Sequence, residues 1–404
     1  MDSWPDLLTT VAPPVDDLYT TGQDTTSAPV SANFTYDSNA TYDYACWLLE
    51  DQDRVLLSHK IYLYSSLVFM ALGLVGNLLS VLVFSSKDMR VVSSNVYLLV
   101  LAISDTLYLA SVFLSKNLTY IRCMFFRNTD IDIYNQSTFF CKSLQYVQDF
   151  FSNYSTCVIL AFTIERYVAV YRPIKFKDMY TVGRARVTCL VLFLVIAVYI
   201  APYHVMYMYR YERFNVCTVL ISEEKKFTIL FGIEALLFRI IPVFVITVLN
   251  VFIILRVSHV TKMSRRRRSM ASSARNGSRA AGSRKKTTSR SRKDERSLQL
   301  TLMLILVSTT YVLTYLPVLV HFIIWKLQRS QLVTVDQDAM LIARNYTCAL
   351  YIAGFAINFF LYTMSGRVFR EQLQVVLCTG RSTKVRGVRN AGYTGMLTVL
   401  ETDL

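Results

Sequence analysis

The chain has 404 residues, of which 53% are hydrophobic and only 18% are charged, against roughly a quarter in a typical soluble domain. The apolar residues gather in long blocks with almost no charge, which excludes an ordinary soluble protein of roughly two or three domains. The net charge of +15 lies mainly in short segments between these blocks, so it indicates contact with anionic lipid rather than with nucleic acid.

The N-terminal segment, residues 1–58, is acidic. Up to Asp53 it contains nine aspartates, Glu50 and no lysine or arginine. Its first residues, MDSWPDLLTT, lack the basic stretch and apolar core of a cleavable signal peptide, so the first apolar block is expected to act as the insertion signal. We predict a disordered extracellular segment with N-glycosylation sequons at Asn33 and Asn39.

Seven apolar blocks follow. Each is long enough for a helix to cross the ~30 Å hydrocarbon core of a bilayer, which needs about 20 residues. In that solvent the backbone has to satisfy its own hydrogen bonds, so each block should be helical. Together they predict an all-α membrane protein. The blocks are roughly Ile61–Ser86, Val91–Ser115, Leu144–Ile164, Val187–Tyr209, Phe227–Leu255, Ser297–Trp325 and Asn345–Gly366.

Lysines and arginines in the connecting segments predict the orientation of these blocks. They are concentrated after the first, third, fifth and seventh blocks, above all in the loop 259–296, where Thr261–Arg296 holds 14 of them. These segments should face the cytoplasm, which leaves the N-terminus outside the plasma membrane. We expect the Arg/Ser-rich loop to be disordered. Sequons at Asn117 and Asn135, after the second block, would be further extracellular glycosylation sites.

Polar residues inside the blocks carry the functional argument, because ionisable groups at membrane depth are costly and usually functional. In chain order the motifs are Gly76-Asn77, Leu101-Ala-Ile-Ser-Asp105, Glu165-Arg166-Tyr167 followed by Pro173, Thr314-Tyr315-Leu316-Pro317, Asn358-Phe-Phe-Leu-Tyr362 and Phe369-Arg370. As an ordered set, over roughly Ile61 to Cys378, they resemble the rhodopsin-like G-protein-coupled receptors. The resemblance implies a seven-transmembrane helix bundle over 59–366, a short amphipathic membrane-surface helix over 367–378 and a cytoplasmic tail over 379–404.

The resemblance also implies a conformational switch. Arg166 would hold the inactive state beside Glu165 and then meet a heterotrimeric G protein when helix 6 swings outward. An arginine that merely extends to the lipid headgroups is the simpler alternative. The remaining residues of the implied switch are Tyr167, Tyr315, Pro317, Asn358 and Tyr362.

Asp105 lies in the middle of the second block, and by family position Asn77, Ser155 and Asn358 are its neighbours. Such a cluster can hold a sodium ion and rearrange on activation. The alternative is a static hydrogen-bond network that joins helices. Apart from this ion, no cofactor is expected.

Several positions depart from the family pattern. Tyr315 stands where the family usually has Trp, Phe359 where it has Pro, and Gly354 where it has a polar neighbour of the ion site. These departures leave open a receptor-like scaffold with weak coupling to G proteins.

The resemblance implies a disulfide between Cys141 and Cys217, in an oxidising location where such a bond persists. A second bridge could join Cys46 either to Cys348 or to Cys123, and sequence does not choose the pairing.

The C-terminal segment offers further interaction sites. Cys378, at the end of the amphipathic helix, is a candidate for palmitoylation. The last four residues resemble a PDZ-domain ligand, with Thr402 two positions before the terminal Leu404. Arg-rich runs beside Ser269 and Thr288 resemble kinase sites, and arrestin is a further partner implied by the family.

The ligand is predicted to be an extracellular peptide. Gln148 stands where amine receptors carry Asp, and the seventh block has no lysine for retinal, which disfavours an amine receptor and excludes an opsin. Glu234 either binds a ligand arginine or pairs internally with Arg239. The acidic N-terminal segment would steer a basic or amidated peptide. The predicted ligand-binding residues are Gln148, Glu234, Arg239, His321 and Arg344.

The variant end of helix 7 resembles invertebrate neuropeptide receptors, in particular the FMRFamide-like group. A small non-peptide ligand is the alternative within the receptor class. A transporter or channel is disfavoured because the chain shows neither an inverted repeat nor a ring of pore charges. No catalytic constellation is evident, so we do not expect an enzyme.

Overall fold

The computed structural model describes residues 53–126, 131–172, 181–211, 216–219, 224–275, 284–329 and 331–377. Within these ranges the chain forms eight principal helices and one two-stranded hairpin. The helices are α1 (Asp53–Phe84), α2 (Ser93–Phe125), α3 (Thr138–Tyr171), α4 (Val182–Tyr207), α5 (224–275), α6 (Arg284–Arg329), α7 (Gln337–Ala356 and Asn358–Ser365) and α8 (Arg367–Leu377). The antiparallel strands, between α4 and α5, are β1 (Met208–Tyr211) and β2 (Val216–Val219).

Helices α1 to α7 form a seven-helix bundle. Five of them are long and apolar enough to cross a membrane, and α7 becomes a sixth when its two parts, bent by 45°, are counted together. The remaining helix, α3, carries buried polar side chains along its length and packs against α2, α4, α5 and α6. A helix in the middle of a bundle meets neighbouring helices rather than lipid, so it can be the most polar one.

The surface of the bundle is apolar, as a lipid solvent requires. Helix α4 shows this best, with a row of exposed aliphatic side chains along one side: Val187, Leu190, Val191, Leu194 and Val198. The chain is therefore a multi-pass membrane protein. The end of the bundle with the hairpin and the start of α1 is called the hairpin end below, and the opposite end is called the α8 end.

The loop predicted after the second block is largely helical, which corrects that prediction. Helix α2 continues to Phe125 through a π-helical segment, Phe113–Asn117. Polar residues of this stretch had indicated a loop, but they bond inside the bundle. Asn117 Nδ2 donates to Ser66 Oγ at 2.6 Å, and Arg122 forms an ion pair with Asp132 at 3.5 Å.

The predicted glycosylation at Asn117 and Asn135 is also contradicted, because both side chains are buried. Asn135 Nδ2 donates to Asp132 Oδ2 at 2.9 Å, and its Oδ1 accepts from the backbone N–H of Cys217 at 3.0 Å. A glycan is attached to Nδ2, which in both residues is committed to a buried hydrogen bond. Asn135 instead holds β2 against the start of α3.

Two predicted boundaries change as well. Helix α1 begins at Asp53, before the predicted start of the bundle at residue 59. Helices α5 and α6 extend far into the basic segment 259–296, up to Arg275 and from Arg284, so most of that segment is helical rather than disordered. Arginine and lysine are good helix formers, which a composition-based prediction of disorder overlooks.

The predicted disulfide between Cys141 and Cys217 is confirmed, and it joins the first turns of α3 to β2. Cys123 is in a second disulfide, whereas Cys348 carries a thiol. The pairing of Cys46 with Cys348 is therefore wrong for this structure. Cys46 itself lies outside the described residues.

Candidate functional site

At the α8 end, an ion pair within α3 is hydrogen-bonded to the start of α2. Arg166 Nη2 lies 3.0 Å from Glu165 Oε1, and both side chains are buried. Glu165 Oε1 also accepts from the hydroxyls of Ser93 at 2.6 Å and Ser94 at 2.8 Å, and Arg166 donates to Ser94. Tyr167 stands apart from this pair, stacked on Tyr171. The arrangement satisfies a buried charge and fixes the end of α3 to the start of α2.

A second group of polar side chains, the Asp105 cluster, consists of Ser104, Asp105, Ser155 and Asn358. Asp105 Oδ1 accepts from Ser155 Oγ at 2.8 Å, and Asp105 Oδ2 accepts from Asn358 Nδ2 at 2.7 Å. The hydroxyls of Ser104 and Ser155 are 2.8 Å apart. These bonds connect α2, α3 and α7 through one buried carboxylate. Among the described residues, its hydrogen-bond partners are neutral.

Asn77, the fourth residue expected here, does not bond to Asp105. Its Nδ2 donates to the carbonyl of Phe355 on α7 at 3.1 Å. Its Oδ1 is buried and has no hydrogen-bond partner among the described residues. A buried oxygen without a protein partner is usually satisfied by a bound water or an ion.

Aromatic hydroxyls link α3 to α6 and α7 in the middle of the bundle. Tyr311 and Thr156 hydroxyls are 2.6 Å apart, and those of Tyr351 and Ser152 are 2.8 Å apart. Tyr315, in the place of the usual Trp, is buried and stacks on Tyr311 with ring centroids at 5.6 Å. Pro317 lies inside α6, two residues further on. A tyrosine at position 315 therefore belongs to a packed aromatic group beside the proline.

Helices α6 and α7 approach closely at Gly354. A Cβ at this position would lie 2.4 Å from Thr314 Oγ1, so a larger residue fits only if the Thr314 side chain or α6 moves. Gly76 plays the same part between α1 and α7, where a Cβ would lie 2.7 Å from Phe359 Cβ. Small residues allow backbones to pack closely where no hydrophobic driving force operates. Thus Gly354 and Phe359, two departures from the family pattern, lie in contacts made by α7.

Tyr362, at the end of α7, is completely buried between Phe84 and Phe369, the latter on α8. Its hydroxyl has no hydrogen-bond partner within the described part of the chain. A buried unsatisfied hydroxyl costs free energy, about 1–3 kcal/mol. Tyr362 would therefore gain by moving to a position where the hydroxyl meets water or a polar group.

At the hairpin end, a narrow cleft lies between α1, α2, α3 and α7. Two of the predicted ligand-binding residues, Gln148 and Arg344, line it, together with Lys116. His321 lies next to this wall, since its Nε2 is 3.1 Å from the carbonyl of Met340 on α7.

Glu234 and Arg239 do not line this cleft. They belong to a buried ionic group between α3, α4 and α5, here called the Arg239 cluster, made of Asp149, Asn153, His204, Glu234 and Arg239. Arg239 Nη2 lies 2.8 Å from Glu234 Oε1 and 3.5 Å from Asp149 Oδ1. His204 Nε2 lies 3.0 Å from Asp149 Oδ2, and Asn153 bonds both Glu234 and Arg239. Of the two interpretations of Glu234, the internal pair with Arg239 is the one that the structure contains.

Asp149 and His204 are functional candidates that the sequence did not predict. Asp149 is turned about 100° around α3 from Gln148, so it does not line the cleft that Gln148 lines. It faces α4 and α5 instead, where both partners are buried. The available signal was that Asp149 and Asn153 lie four positions apart and so share one side of α3.

The ion pair within α5 depends on a second π-helical segment, Leu236–Ile240. In a regular α-helix, residues five positions apart point about 140° away from each other, since each residue turns by about 100°. The wider π turn brings Glu234 and Arg239, which are five positions apart, to the same side of α5. The segment thereby presents both charges to α3.

Other predicted site residues lie outside the described residues, namely Asn33, Asn39, Cys378, Thr402 and Leu404. At the start of α8, Arg370 Nη1 donates to the carbonyls of Thr363 and Met364 at 2.8 and 3.0 Å. Those bonds satisfy carbonyls at the end of α7 and fix the turn between the two helices.

The fold and this set of buried motifs define a receptor of the seven-helix class, and sequence comparison agrees. The family model "7 transmembrane receptor (rhodopsin family)" matches residues 76–364. The chain therefore belongs to the rhodopsin family of seven-transmembrane receptors.

The individual relatives are receptors, and two of them are named for a hormone or a hormone secretagogue. The chain is similar to the thyrotropin-releasing hormone receptor of Mus musculus, with 34% identity over 34% of this chain and 33% of the relative. It is also similar to the growth hormone secretagogue receptor type 1 of Sus scrofa, with 33% identity over 30% and 31% of the two chains. A probable G-protein coupled receptor of Caenorhabditis elegans is 25% identical over 50% of this chain and 48% of its own. The matches thus span a third to a half of these relatives.

Proposed function

We propose that the protein is a peptide-activated receptor that couples to a heterotrimeric G protein, rather than an enzyme, a transporter or a channel. The observation that carries the proposal is the buried ion pair of Arg166 with Glu165, bonded to Ser93 and Ser94 at the α8 end. A buried arginine held by its neighbour at the end of a central helix is a group that a conformational change can release. Family membership makes the G protein the natural partner.

The described contacts support a switch that runs along α3, α6 and α7. Pro317 removes one backbone hydrogen bond of α6 and lets that helix bend. Tyr311 of α6 bonds Thr156, and Tyr351 of α7 bonds Ser152. Ligand binding on the hairpin side would change these contacts. Outward movement of α6 would then expose Arg166 to the G protein, with Tyr167 beside it. The hydroxyl of Tyr362 has no hydrogen-bond partner among the described residues, and it would gain one in the state reached after α6 moves outward.

A sodium ion fits the Asp105 cluster. The carboxylate has only neutral hydrogen-bond partners, and the buried Oδ1 of Asn77 lacks a partner among the described residues. Oxygen atoms of this kind are the donors that hard cations prefer. Asp105, Ser155, Asn358 and Asn77 would hold the ion, which would supply a positive charge to the buried carboxylate.

We further propose a plasma-membrane location with the hairpin end outside the cell. The acidic segment before Asp53, glycosylated at Asn33 and Asn39, would then be extracellular, and the basic ends of α5 and α6 cytoplasmic. Helix α8 would lie along the inner membrane surface, anchored by palmitoylation of Cys378. Kinases and arrestin would act on the cytoplasmic segments, and a PDZ domain would bind the terminal Thr402 and Leu404.

The peptide ligand is supported by the similarity to receptors for a releasing hormone and a hormone secretagogue, and by the cleft at the hairpin end, which Gln148 and Arg344 line. The relatives share only part of their length with this chain, so the ligand has to be established on the chain itself. A library of secreted peptides, applied to cells that express it with calcium and cAMP as readouts, identifies an activating peptide. A response to amines and to no peptide would contradict the proposal.

The switch is tested by two substitutions. Arg166→Ala and Asp105→Asn should each reduce ligand-driven G-protein activation at least tenfold while surface expression stays near that of the wild type. The matched control is Arg172→Ala, since Arg172 is exposed and follows the last residue of α3. Unchanged signalling in both variants would contradict the proposed mechanism.

A further inference from the structure

A buried side-chain hydrogen bond joins α5 to α6. Ser308 Oγ on α6 donates to Asn250 Oδ1 on α5 at 3.0 Å, and both side chains are buried. Lipid offers no hydrophobic driving force for the pairing of helices, so interhelical hydrogen bonds and close packing hold them together. This contact, called the α5–α6 bond below, therefore contributes to the position of α6.

The α5–α6 bond lies at the α8 end of the bundle, beside the end of α3. Three residues further along α5 and three residues earlier on α6, Ile253 and Ile305 meet in one apolar cluster with Val170 of α3. The polar pair and the apolar pair thus occupy neighbouring turns of two antiparallel helices. Val170 follows Arg166 by four residues, so it lies about one turn of α3 further on. Separation of α6 from α5 at these turns would open the bundle beside Arg166.

Helix α5 has a separate attachment to α3 at this end. The Tyr171 hydroxyl donates to the carbonyl of Phe252 at 3.1 Å, and the guanidinium of Arg256 lies 5.8 Å from the centre of the Tyr171 ring. These contacts join α5 to α3 and do not depend on α6. Helix α5 can therefore stay with α3 when the α5–α6 bond breaks, which leaves α6 as the helix that moves.

Ser308 belongs to the part of α6 that a bend at Pro317 would displace. It precedes Pro317 by nine residues, on the α8 side. Nine residues of helix are roughly 14 Å long, so a bend of about 20° away from α5 would move Ser308 by roughly 5 Å. A hydrogen bond is lost when its two heavy atoms separate beyond about 3.5 Å. Such a bend and an intact α5–α6 bond therefore exclude each other.

The hydroxyl of Ser308 has a second acceptor within its own helix. Its Oγ also lies 3.0 Å from the carbonyl oxygen of Leu304 and 3.2 Å from that of Ile305. A serine hydroxyl has one hydrogen to donate, and in a helix it can donate to the carbonyl four residues earlier. Ser308 thus keeps a hydrogen bond after α6 moves, while water can reach Asn250 through the opened contact. The α5–α6 bond can therefore break without leaving Ser308 unsatisfied.

We propose that Asn250 and Ser308 are positioning residues that hold α6 against α5 in the described state, and that the strength of the α5–α6 bond sets the activity of the receptor without ligand. The inference rests on the proposed function for its link to the G protein. The two residues act on Arg166 through the position of α6.

The first test measures G-protein activation without ligand, per receptor at the cell surface, with a panel of heterotrimeric G proteins. Ser308→Ala removes the donor, and Asn250→Leu removes the acceptor at similar volume. Each should raise this basal activity about threefold to tenfold, because one neutral hydrogen bond changes a two-state equilibrium by about that factor. The double variant should resemble either single one, since both changes remove the same bond.

The matched control is Thr247→Val. Thr247 Oγ1 on α5 donates to the carbonyl of Val243 at 2.8 Å, so its bond stays within one helix, and basal activity should not change. A purely structural role for Asn250 and Ser308 would lower surface expression in the variants without raising activity per receptor. Basal activity that rises in Thr247→Val as much as in Ser308→Ala would overturn the proposal.

The second test measures the separation of α5 and α6 in the purified receptor and needs neither ligand nor G protein. Leu255 on α5 and Leu302 on α6 are exposed, and each is replaced by a keto-bearing amino acid that carries a nitroxide. Pulsed electron spin resonance then gives the distribution of distances between the two labels. Ser308→Ala and Asn250→Leu should each increase the fraction of receptors with the longer distance at least threefold, and Thr247→Val should not.

The two tests together separate this inference from the proposed function. Longer distances without any G-protein activation would support the hold on α6 and contradict the proposed coupling. Unchanged distances in both variants would overturn the inference, whether or not basal activity rises, because the α5–α6 bond would then not be what holds α6. Activation by a peptide would still decide the proposed function in that case.

Discussion

The Asp105 cluster contains one buried carboxylate with neutral partners. The Arg239 cluster contains two carboxylates, a guanidinium and an imidazole: Arg239 pairs with Glu234 and Asp149, and His204 pairs with Asp149. Both lie inside the same bundle, and both connect three helices. The first joins α2, α3 and α7 through hydrogen bonds of 2.7 and 2.8 Å. The second joins α3, α4 and α5 through ion pairs.

This difference indicates different tasks. In a buried cluster whose positive and negative groups pair with each other, removing one partner strongly destabilises the folded protein, because a buried charge is left without its counter-charge. A lone carboxylate with neutral donors can gain or lose a cation, and its surroundings can rearrange at small cost. We infer that the Arg239 cluster fixes the hairpin end of α3, α4 and α5, while the Asp105 cluster changes during signalling.

The largest effect is expected from Arg239→Met, which leaves Glu234 and Asp149 buried without their guanidinium. The free energy of unfolding should fall by about 3–5 kcal/mol, measured as a lower thermal denaturation temperature of the purified receptor in detergent. Adding Glu234→Gln to this variant should recover part of the loss. Lys142→Met, a change of a partly exposed lysine, is the control. A loss below about 1 kcal/mol would contradict a compensated ionic cluster, since surface pairs already contribute that much.

A smaller loss is expected from Gly354→Ala, four residues before Asn358. The added Cβ meets Thr314 Oγ1 at 2.4 Å, so the Thr314 side chain or α6 has to move away from α7. Overpacking of this kind costs about 1–3 kcal/mol in the free energy of unfolding. Combining the change with Thr314→Ala removes the clashing oxygen and should restore most of the stability. If the double variant is no more stable than the single one, the close approach of α6 and α7 is not the cause.

Asp105→Asn should change the free energy of unfolding by less than about 1 kcal/mol, because an amide still accepts from Ser155 and one buried charge disappears. The same variant should lose any stabilisation of the purified receptor by sodium chloride over choline chloride. Arg239→Met should keep that ion dependence. An Asp105→Asn receptor that retains the sodium effect would place the ion elsewhere.

The smallest effect is expected from Arg367→Gln on α8. Arg367 Nε lies 3.0 Å from Glu371 Oε1, but the two side chains are 67% and 53% exposed. Exposed pairs contribute about 0–1 kcal/mol, so stability should hardly change. A loss comparable to that of Arg239→Met would show that burial is not what separates strong from weak ion pairs in this chain.

The sequence predicted much of this fold for identifiable reasons. Seven long apolar blocks with little charge predict membrane helices, and the resemblance to the family predicted the bridge of Cys141 to Cys217. Helix extensions were missed because polar residues such as Asn117 and Arg122 indicate a loop until their partners inside the bundle are known. The helical extensions of α5 and α6 into the basic segment were also missed, because their composition indicated a loop.

The candidate sites were predicted less completely. The contacts of Asp105 with Ser155 and Asn358 agree with the family positions, but Asn77 bonds the Phe355 carbonyl instead. The pair of Glu234 with Arg239 was one of two interpretations of the sequence. The rest of the Arg239 cluster was missed because Asp149 and His204 are far apart in the chain, and no sequence pattern marks a π turn. Long-range pairing of charges is a property of packing, so a single sequence does not reveal it.

The π-helical segment Leu236–Ile240 has a consequence for comparisons between this receptor and its relatives. A π turn holds one residue more than the α-helical turn it replaces, so the two parts of α5 are offset from an uninterrupted helix by one position. Consider a relative whose fifth helix is regular. On the hairpin side of the segment, the residue that faces its bundle would be shifted by one aligned position from the residue that faces the bundle here. Ligand contacts transferred between such receptors by numbering alone would therefore be assigned to the neighbouring residue, and Glu234 is one to which this applies.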